Sequence, residues 1–347
     1  MLALTVTPGK PNSLGLKNVG PPPVCDGGVV VRMLTLGVCG TDLEIIKGEY
    51  GWSPPGTDQL IIGHESLGVV EQAPPGCGFA TGDLVVGIVR RPDPVPCPAC
   101  AVGEWDMCRN GGYTERGIKE RNGYGSEFVR IEPEFLVKID SALGRLGVLT
   151  EPASVIAKAW EQTQRAASRS FTWEPQIVLV TGAGPVGLLA ALQGVQLGLE
   201  VHVFDRIRVG PKPELVNALG AIYHADSLEG LRPDIVIECT GASAVVLDVI
   251  ARTSPDGVVC LAGVSSGGHE LAFDVSAFNR TVVLENHVMF GTVSANRHHY
   301  QTAAKVLAQA DQDWLSRMIT RRTPVHRWRE AFHRNYDDIK VVIDFPD

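Results

Sequence analysis

The stretch Gln176-Ile177-Val178-Leu179-Val180-Thr181-Gly182-Ala183-Gly184-Pro185-Val186-Gly187 decides how this chain folds. Its first half is a short apolar run, suited to a strand buried on both faces, and its second half carries glycines spaced GxGxxG. Glycine clusters alone often mark nothing more than turns. Here Leu188 to Leu197 suits a helix, and Asp205 ends the next apolar run, 18 positions after Gly187. Strand, glycine turn, helix and following acid together read as a dinucleotide site. Gly182 permits a tight turn, Gly184 lets the backbone approach a pyrophosphate, and Gly187 lets the helix pack closely on the sheet. Pro185 and Val186 open the helix, whose N-terminus attracts anionic phosphate.

Outward from this motif, Glu200–Asp205, Asp234–Glu238 and Gly257–Leu261 are further strand candidates separated by helical stretches. Alternating strands and helices predict a doubly wound parallel sheet of the α/β class, a Rossmann domain over residues 171–295. Residues 1–170 read as a separate, mainly β catalytic domain. Its first 150 residues are rich in Gly and Pro and carry short runs such as Gly28–Arg32 and Gly68–Glu71, before a connecting helix from Ser154 to Ala167. The segment 296–347 ends in Ile339–Phe345, a strand expected to return to the first domain. No internal repeat or low-complexity tract is evident.

Cofactor choice turns on the end of the second strand. Asp205 can accept hydrogen bonds from the ribose hydroxyls of NAD and repels the 2′-phosphate of NADP, whereas Arg206, Arg208 and Lys212 supply the opposite chemistry. Those cations either attract the phosphate or decorate a solvated loop. Use of both NAD and NADP, with some preference for NAD, is the expectation.

Composition narrows the partners. Two domains are expected of 347 residues, and 44% hydrophobic with 20% charged residues is ordinary for a globular protein. A net charge of -8 without a basic run argues against nucleic acid. The opening residues lack the pattern of a signal peptide, and no stretch reaches about 18 uninterrupted apolar residues, so no membrane is expected. Eight cysteines are too few for a disulfide scaffold, which makes a reducing cytoplasm the expected location.

Three residues upstream of the fingerprint, Cys39, His64 and Glu151, offer thiolate, imidazole and carboxylate, and Glu65 follows His64 directly. These donors match zinc, and three protein ligands leave one position open for water or substrate. Any one alone reads as a small core residue or a satisfied polar group. Their joint occurrence with a nucleotide fingerprint reverses that reading.

On these residues the chain resembles the zinc-dependent medium-chain dehydrogenase/reductase family, alcohol dehydrogenase-like, over nearly its whole length. It looks closest to the glucose 1-dehydrogenase branch. Thr150-Glu151-Pro152 has that branch's acidic ligand, and Gly112-Tyr113-Thr114-Glu115-Arg116-Gly117-Ile118 looks like its substrate loop. The resemblance implies a GroES-like catalytic domain, a catalytic zinc held by Cys39, His64 and Glu151 with Glu65 in or near its ligand shell, and a homodimer or homotetramer. It implies oxidation of an aldose at C1 to the aldonolactone with NAD(P), Thr41 contacting the reacting oxygen and relaying its proton. Glu115 is the first choice for sugar hydroxyls and His299 the second, the alternative for His299 being a surface histidine beside Arg297 and His298; Asn296 is a further candidate. Ser294 stands where close relatives often carry asparagine near the nicotinamide.

Cys97, Cys100 and Cys108 resemble the family's four-cysteine structural zinc lobe, whose first ligand would fall at Pro94. Either another group such as Asp93 completes a tetrahedron around zinc, or the lobe is metal-free with small buried or free thiols. The nearest rival function is a polyol, secondary-alcohol or amino-alcohol dehydrogenase of the same family. A zinc-free quinone or enoyl reductase and a non-catalytic nucleotide sensor fit the metal-ligand set less well.

Overall fold

The protein, a computed structural model, is described for residues 1–22, 28–265 and 272–346. It divides into two compact units, Met1–Ser154 with Ser294–Asp347, and Val155–Val293.

The second unit carries a six-stranded parallel sheet. Its strands lie in the order Ile222–His224, Glu200–Phe204, Ile177–Thr181, Ile235–Glu238, Val258–Leu261, Val288–Gly291. The chain starts in the middle at Ile177, winds to one side, then returns to wind to the other. This leaves a topological switch point between Ile177–Thr181 and Ile235–Glu238, where such sheets bind ligands at the carboxyl ends of their strands. Leu179, Val236 and Val259 lie in the core with Leu228, Val249 and Ile250, consistent with strands covered on both faces. Two strands, Ile222–His224 and Val288–Gly291, were not apparent from the sequence pattern. They are the edges of the sheet and only partly buried, so they lack the continuous apolar run that betrays a central strand.

The first unit is organised around Val29–Val38, a ten-residue strand whose first six residues alternate between buried and partly exposed. Neighbouring strands run Leu136–Lys138, Leu84–Gly87, Glu65–Gln72, Val29–Val38, Lys340–Asp344, Ile319–Pro324, and Phe128–Ile131 pairs with the start of the central strand. The last strand returns as expected: Val341 pairs with Val38 and Val342 with Gly37 across an antiparallel ladder. On the other side of the same strand Gly37 pairs with Glu65. This register brings Glu65 and Val342, far apart in sequence, to either side of one backbone position. The connecting helix runs Thr150–Ala167, starting four residues before the sequence pattern placed it.

Candidate catalytic metal site and dinucleotide loop

Cys39 stands where the central strand gives way to the helix Gly40–Lys47, as its N-cap. The Cys39 backbone N–H donates to Asp42 Oδ2 at 2.9 Å, which fixes the turn and so the direction of the thiol. The other oxygen of Asp42 lies 3.4 Å from His64 Nδ1. A carboxylate behind an imidazole sets which ring nitrogen faces a metal. His64 is brought in by Gly63, whose φ of 92° and closeness to Leu36 exclude a side chain. Glu65 follows at the start of its strand. A Cβ on Gly37 would sit 2.0 Å from Glu65 Oε2, so glycine at position 37 leaves the room that this carboxylate occupies.

The ligand atoms of Cys39, His64 and Glu65 all lie within 4.8 Å of one another. Asp42 Oδ1, His64 Nδ1 and Glu65 Oε2 are buried without a well-formed hydrogen bond. Each still has a charged neighbour, Asp42 Oδ1 and His64 Nδ1 facing each other at 3.4 Å and Glu65 Oε2 facing Lys340, so the case for a metal rests on the donor set. Thiolate, imidazole and carboxylate at this separation fit zinc with room for a further ligand. Thr41 Oγ1 is 3.9 Å from Cys39 Sγ.

Glu151, in the first turn of the helix Thr150–Ala167, lies outside the three-donor cluster but within its field. Burial pushes its carboxyl up to about 7, Glu65 and Asp42 adding to the effect and His64 and Lys340 opposing it. Burial pulls His64 down, yet the charge and hydrogen bond of Asp42, helped by Cys39, hold it well above its ordinary value. Lys340 is a cation the sequence reading missed. Its Nζ lies 2.6 Å from Glu65 Oε1 and 2.5 Å from Oε2, with both side chains 2% exposed. Burial works against the charge on Lys340, and Glu65 and Cys39 outweigh it.

The residues expected to bind substrate lie in one buried network of the same unit. Glu115, on the strand Thr114–Arg116, receives Arg90 Nε at 3.0 Å and Arg90 Nη2 at 2.9 Å, both on Oε1. Arg90 Nη1 donates to the Asp106 backbone oxygen at 3.1 Å, and the Asp106 carboxylate accepts from Asn296 Nδ2 at 2.9 Å. Asn296 caps the helix Arg297–Ala308, its Oδ1 accepting from the backbone of His298 and His299. Its Oδ1 thus serves the helix cap and its Nδ2 the bond to Asp106. His299 is buried, with Nδ1 accepting from the Asn296 backbone at 3.2 Å, so the surface-histidine alternative fails. The next residue, Tyr300, meets Ser154 and the backbone of Val89, and it feels the charge of Glu151. Ser294 adopts a φ of 61°, a left-handed conformation that asparagine tolerates better than serine.

Cys97, Cys100 and Cys108 also gather within 4.8 Å. Cys97 Sγ accepts from the backbone N–H of Arg109 and Cys100, which lowers its thiol to about 6; burial pushes Cys100 up to about 11. Three sulfurs with backbone donors fit three corners of a tetrahedral metal site. Asp93 is not part of the cluster: its Oδ1 accepts from Val95 N at 2.8 Å, and Oδ2 packs against Gly112.

In the second unit Gly182 has a φ of 86°, and a Cβ on Gly187 would meet the Gly182 oxygen at 1.8 Å. Nothing lies within 4 Å of a Cβ built on Gly184, the N-cap of the helix Pro185–Gln196. That open space at a helix N-terminus suits a pyrophosphate. Asp205 Oδ2 accepts from Ala183 N at 2.8 Å and from Lys212 Nζ at 3.0 Å, so it braces the glycine loop as well as ending its strand. Burial raises its carboxyl, and the bonds to Ala183 and Lys212 more than reverse that, leaving it below the ordinary range. Arg208 pairs with Asp226, whereas Arg206 is exposed. Replacing Asp205 by alanine is expected to lower efficiency with NAD more than with NADP, and Arg206→Ala to do the reverse. An unchanged ratio of kcat/KM for the two cofactors in both variants would count against this assignment.

Asp42, Lys340, Arg90 and Asp106 were all missed in the sequence. Asp42 alone carried a local signal, an acid three residues after a helix N-cap.

Residues 25–141 match the alcohol dehydrogenase GroES-like domain and 144–345 the glucose dehydrogenase C-terminus. Among curated proteins, a glucose 1-dehydrogenase of Methanocella arvoryzae is 39% identical and glucose 1-dehydrogenase 1 of Caldivirga maquilingensis 37% identical, each match covering 99% of both chains. Among solved structures, Haloferax mediterranei glucose dehydrogenase in complex with NADP, Zn and gluconolactone is 31% identical. It superposes with a TM-score of 0.92 over 100% of both chains.

Proposed function

The chain belongs to the glucose dehydrogenase branch of the zinc-dependent medium-chain dehydrogenase/reductases, and from that premise we propose that it oxidises an aldose at C1 to the aldonolactone. Zinc and NAD(P) are its cofactors. The observation that carries the reading is the cluster of partly buried Cys39 with buried His64 and Glu65, in one unit with Glu115, the acceptor proposed for sugar hydroxyls.

Bound NAD(P) would supply the hydride acceptor for C1, whose hydroxyl must also give up a proton. Zinc held by Cys39, His64 and an acid would act as a Lewis acid that favours the deprotonated hydroxyl. Asp42 orients His64, and Lys340 balances Glu65. Thr41 is the proposed first acceptor of the hydroxyl proton, its own proton moving outward. Glu151, pushed up to about 7, can hold a proton near neutral pH. Glu65 and Glu151 are the proposed alternates for the carboxylate ligand. Cys97, Cys100 and Cys108 are the proposed ligands of a structural zinc. Gly182, Gly184, Pro185, Val186, Gly187, Asp205, Arg206 and Arg208 are the proposed dinucleotide residues.

The test is an activity screen with NAD and NADP over glucose, galactose, sorbitol, threonine and a small alcohol. Aldoses are expected to be the best substrates. Glu115→Ala is expected to lower aldose efficiency about ten- to a hundredfold through lost charge-assisted hydrogen bonds, and small-alcohol efficiency far less. Best rates on sorbitol or threonine would instead favour the polyol or amino-alcohol reading.

A homodimer or homotetramer is part of the proposal. Its support is the sheet edge Val288–Gly291 and the helix Val275–Leu284, which buries no residue and exposes Val275, Val283 and Leu284. Sedimentation analysis that finds only monomer removes it. No described helix is long and apolar enough to cross a membrane, and all seven described cysteines are free. Free thiols support the proposed cytoplasmic location, which cell fractionation tests.

A further inference from the structure

Arg90 is 5% exposed, and it lies outside both groups of potential metal donors. It follows Val89, whose backbone meets Tyr300, and Arg116 N donates to Val89 O at 3.0 Å, so its backbone is anchored beside the strand that carries Glu115. Its guanidinium lies over the Tyr113 ring, 3.9 Å from the centroid. Stacking of this kind holds a planar cation in one orientation.

Two of its donors are committed, Nε to Glu115 Oε1 and Nη1 to the Asp106 backbone oxygen, and Nη2 makes an ion-pair contact with the same Oε1. Glu115 Oε2 has no hydrogen-bond partner among the described residues, and the side chain keeps 10% exposure. One carboxylate oxygen is therefore tied down and the other presented. A guanidinium has five N–H donors, so Arg90 retains N–H groups beyond these hydrogen bonds, and its Nη2 lies next to the Glu115 carboxylate. Acceptor and donors side by side match a pair of neighbouring hydroxyls on a neutral sugar.

We propose that Arg90 is a positioning residue for sugar recognition: the Arg90–Glu115 pair, locked by Tyr113 and the Asp106 backbone, reads one pair of neighbouring hydroxyls of the aldose. This rests on the aldose reading above and adds the group that sets its selectivity. Without Arg90 the Glu115 carboxylate is free to rotate and to be solvated, so it loses its preference for one hydroxyl position. Lysine cannot replace it, because one ammonium cannot grip Oε1 through two nitrogens and reach the Asp106 oxygen as well.

The experiment compares kcat/KM for glucose, 2-deoxyglucose and 3-deoxyglucose in the zinc-loaded wild type, Arg90→Met, Arg90→Lys, Glu115→Ala and the Arg90→Met/Glu115→Ala double variant. Wild type is expected to discriminate about tenfold or more against one of the two deoxy sugars, the worth of a hydrogen bond to a charged group. Arg90→Met and Arg90→Lys should each erase most of that discrimination, and the double variant should lose no more than Glu115→Ala alone. Should Arg90→Met fail to fold, Arg90→Lys carries the same comparison with the charge retained. A merely structural role predicts equal losses on all three sugars with discrimination intact, and that result overturns the proposal. So do full discrimination in Arg90→Lys and additive losses in the double variant. Failure of the wild type itself to oxidise any aldose overturns the functional reading first, and this inference with it.

Discussion

Cys39→Ala and His64→Ala are each expected to lower kcat by about a thousandfold or more, because several kcal/mol of Lewis-acid stabilisation leave with the metal. Both side chains lie in the one cluster where thiol, imidazole and carboxylate come within 4.8 Å. Removing either leaves two donors, too few for a tight site. Zinc content, measured on the purified variants, should fall in step with turnover. The sheet around them should remain, since Cys39 caps a helix by its backbone and His64 precedes its strand rather than filling it. Thermal melting checks that part. Full turnover in either variant with zinc content unchanged would show that the catalytic metal is held elsewhere.

Lys340→Met is expected to destabilise the zinc-free protein by about 3–5 kcal/mol, the cost of leaving a buried carboxylate without its cation. Glu65 is 2% exposed, and Lys340 Nζ is its close cation, within 2.6 Å of either oxygen. Glu151 and Asp42 add further negative character to the same region. Methionine fills similar volume, so packing loss is small beside the electrostatic one. Converting Glu65 to glutamine in the Lys340→Met background should recover most of the loss, since the uncompensated charge is then gone. Zinc should also restore part of it by binding the uncompensated carboxylate. Urea unfolding of the zinc-free proteins measures each step, and an unchanged midpoint in Lys340→Met would mean that solvent or another group already balances Glu65.

Recognition of the fold depended on residues close together in sequence. The fingerprint at 182–187 works through local backbone demands: a left-handed φ at Gly182, an absent Cβ at Gly187, an open helix start at Gly184. Such demands constrain residue type directly, so they can be read without knowing the fold. Edge strands escaped that reading, because partial burial at Ile222–His224 and Val288–Gly291 leaves residue choice less restricted.

The metal donors themselves were legible as residue types, and their likeness to a known ligand pattern gave them meaning. Their supporting partners were not legible. Asn296 shows the difference: its residue type offered a substrate contact, and only the position of the helix start shows that it also caps a helix and bonds Asp106.

By itself, then, the sequence determined the strand–glycine–helix order of the dinucleotide unit, and it supplied the donor types proposed for zinc and the acidic side chain proposed for a sugar. Tertiary structure alone decided which charges face each other: Lys340 meets Glu65 across 275 positions, Asn296 meets Asp106 across 190, and Arg90 grips Glu115 across 25. Helix and turn preferences act over a few residues, whereas these pairings follow from strand register and from which backbone passes beside which. A buried charge must find a partner, but any suitably placed cation or donor satisfies it, and no local pattern announces which one will arrive.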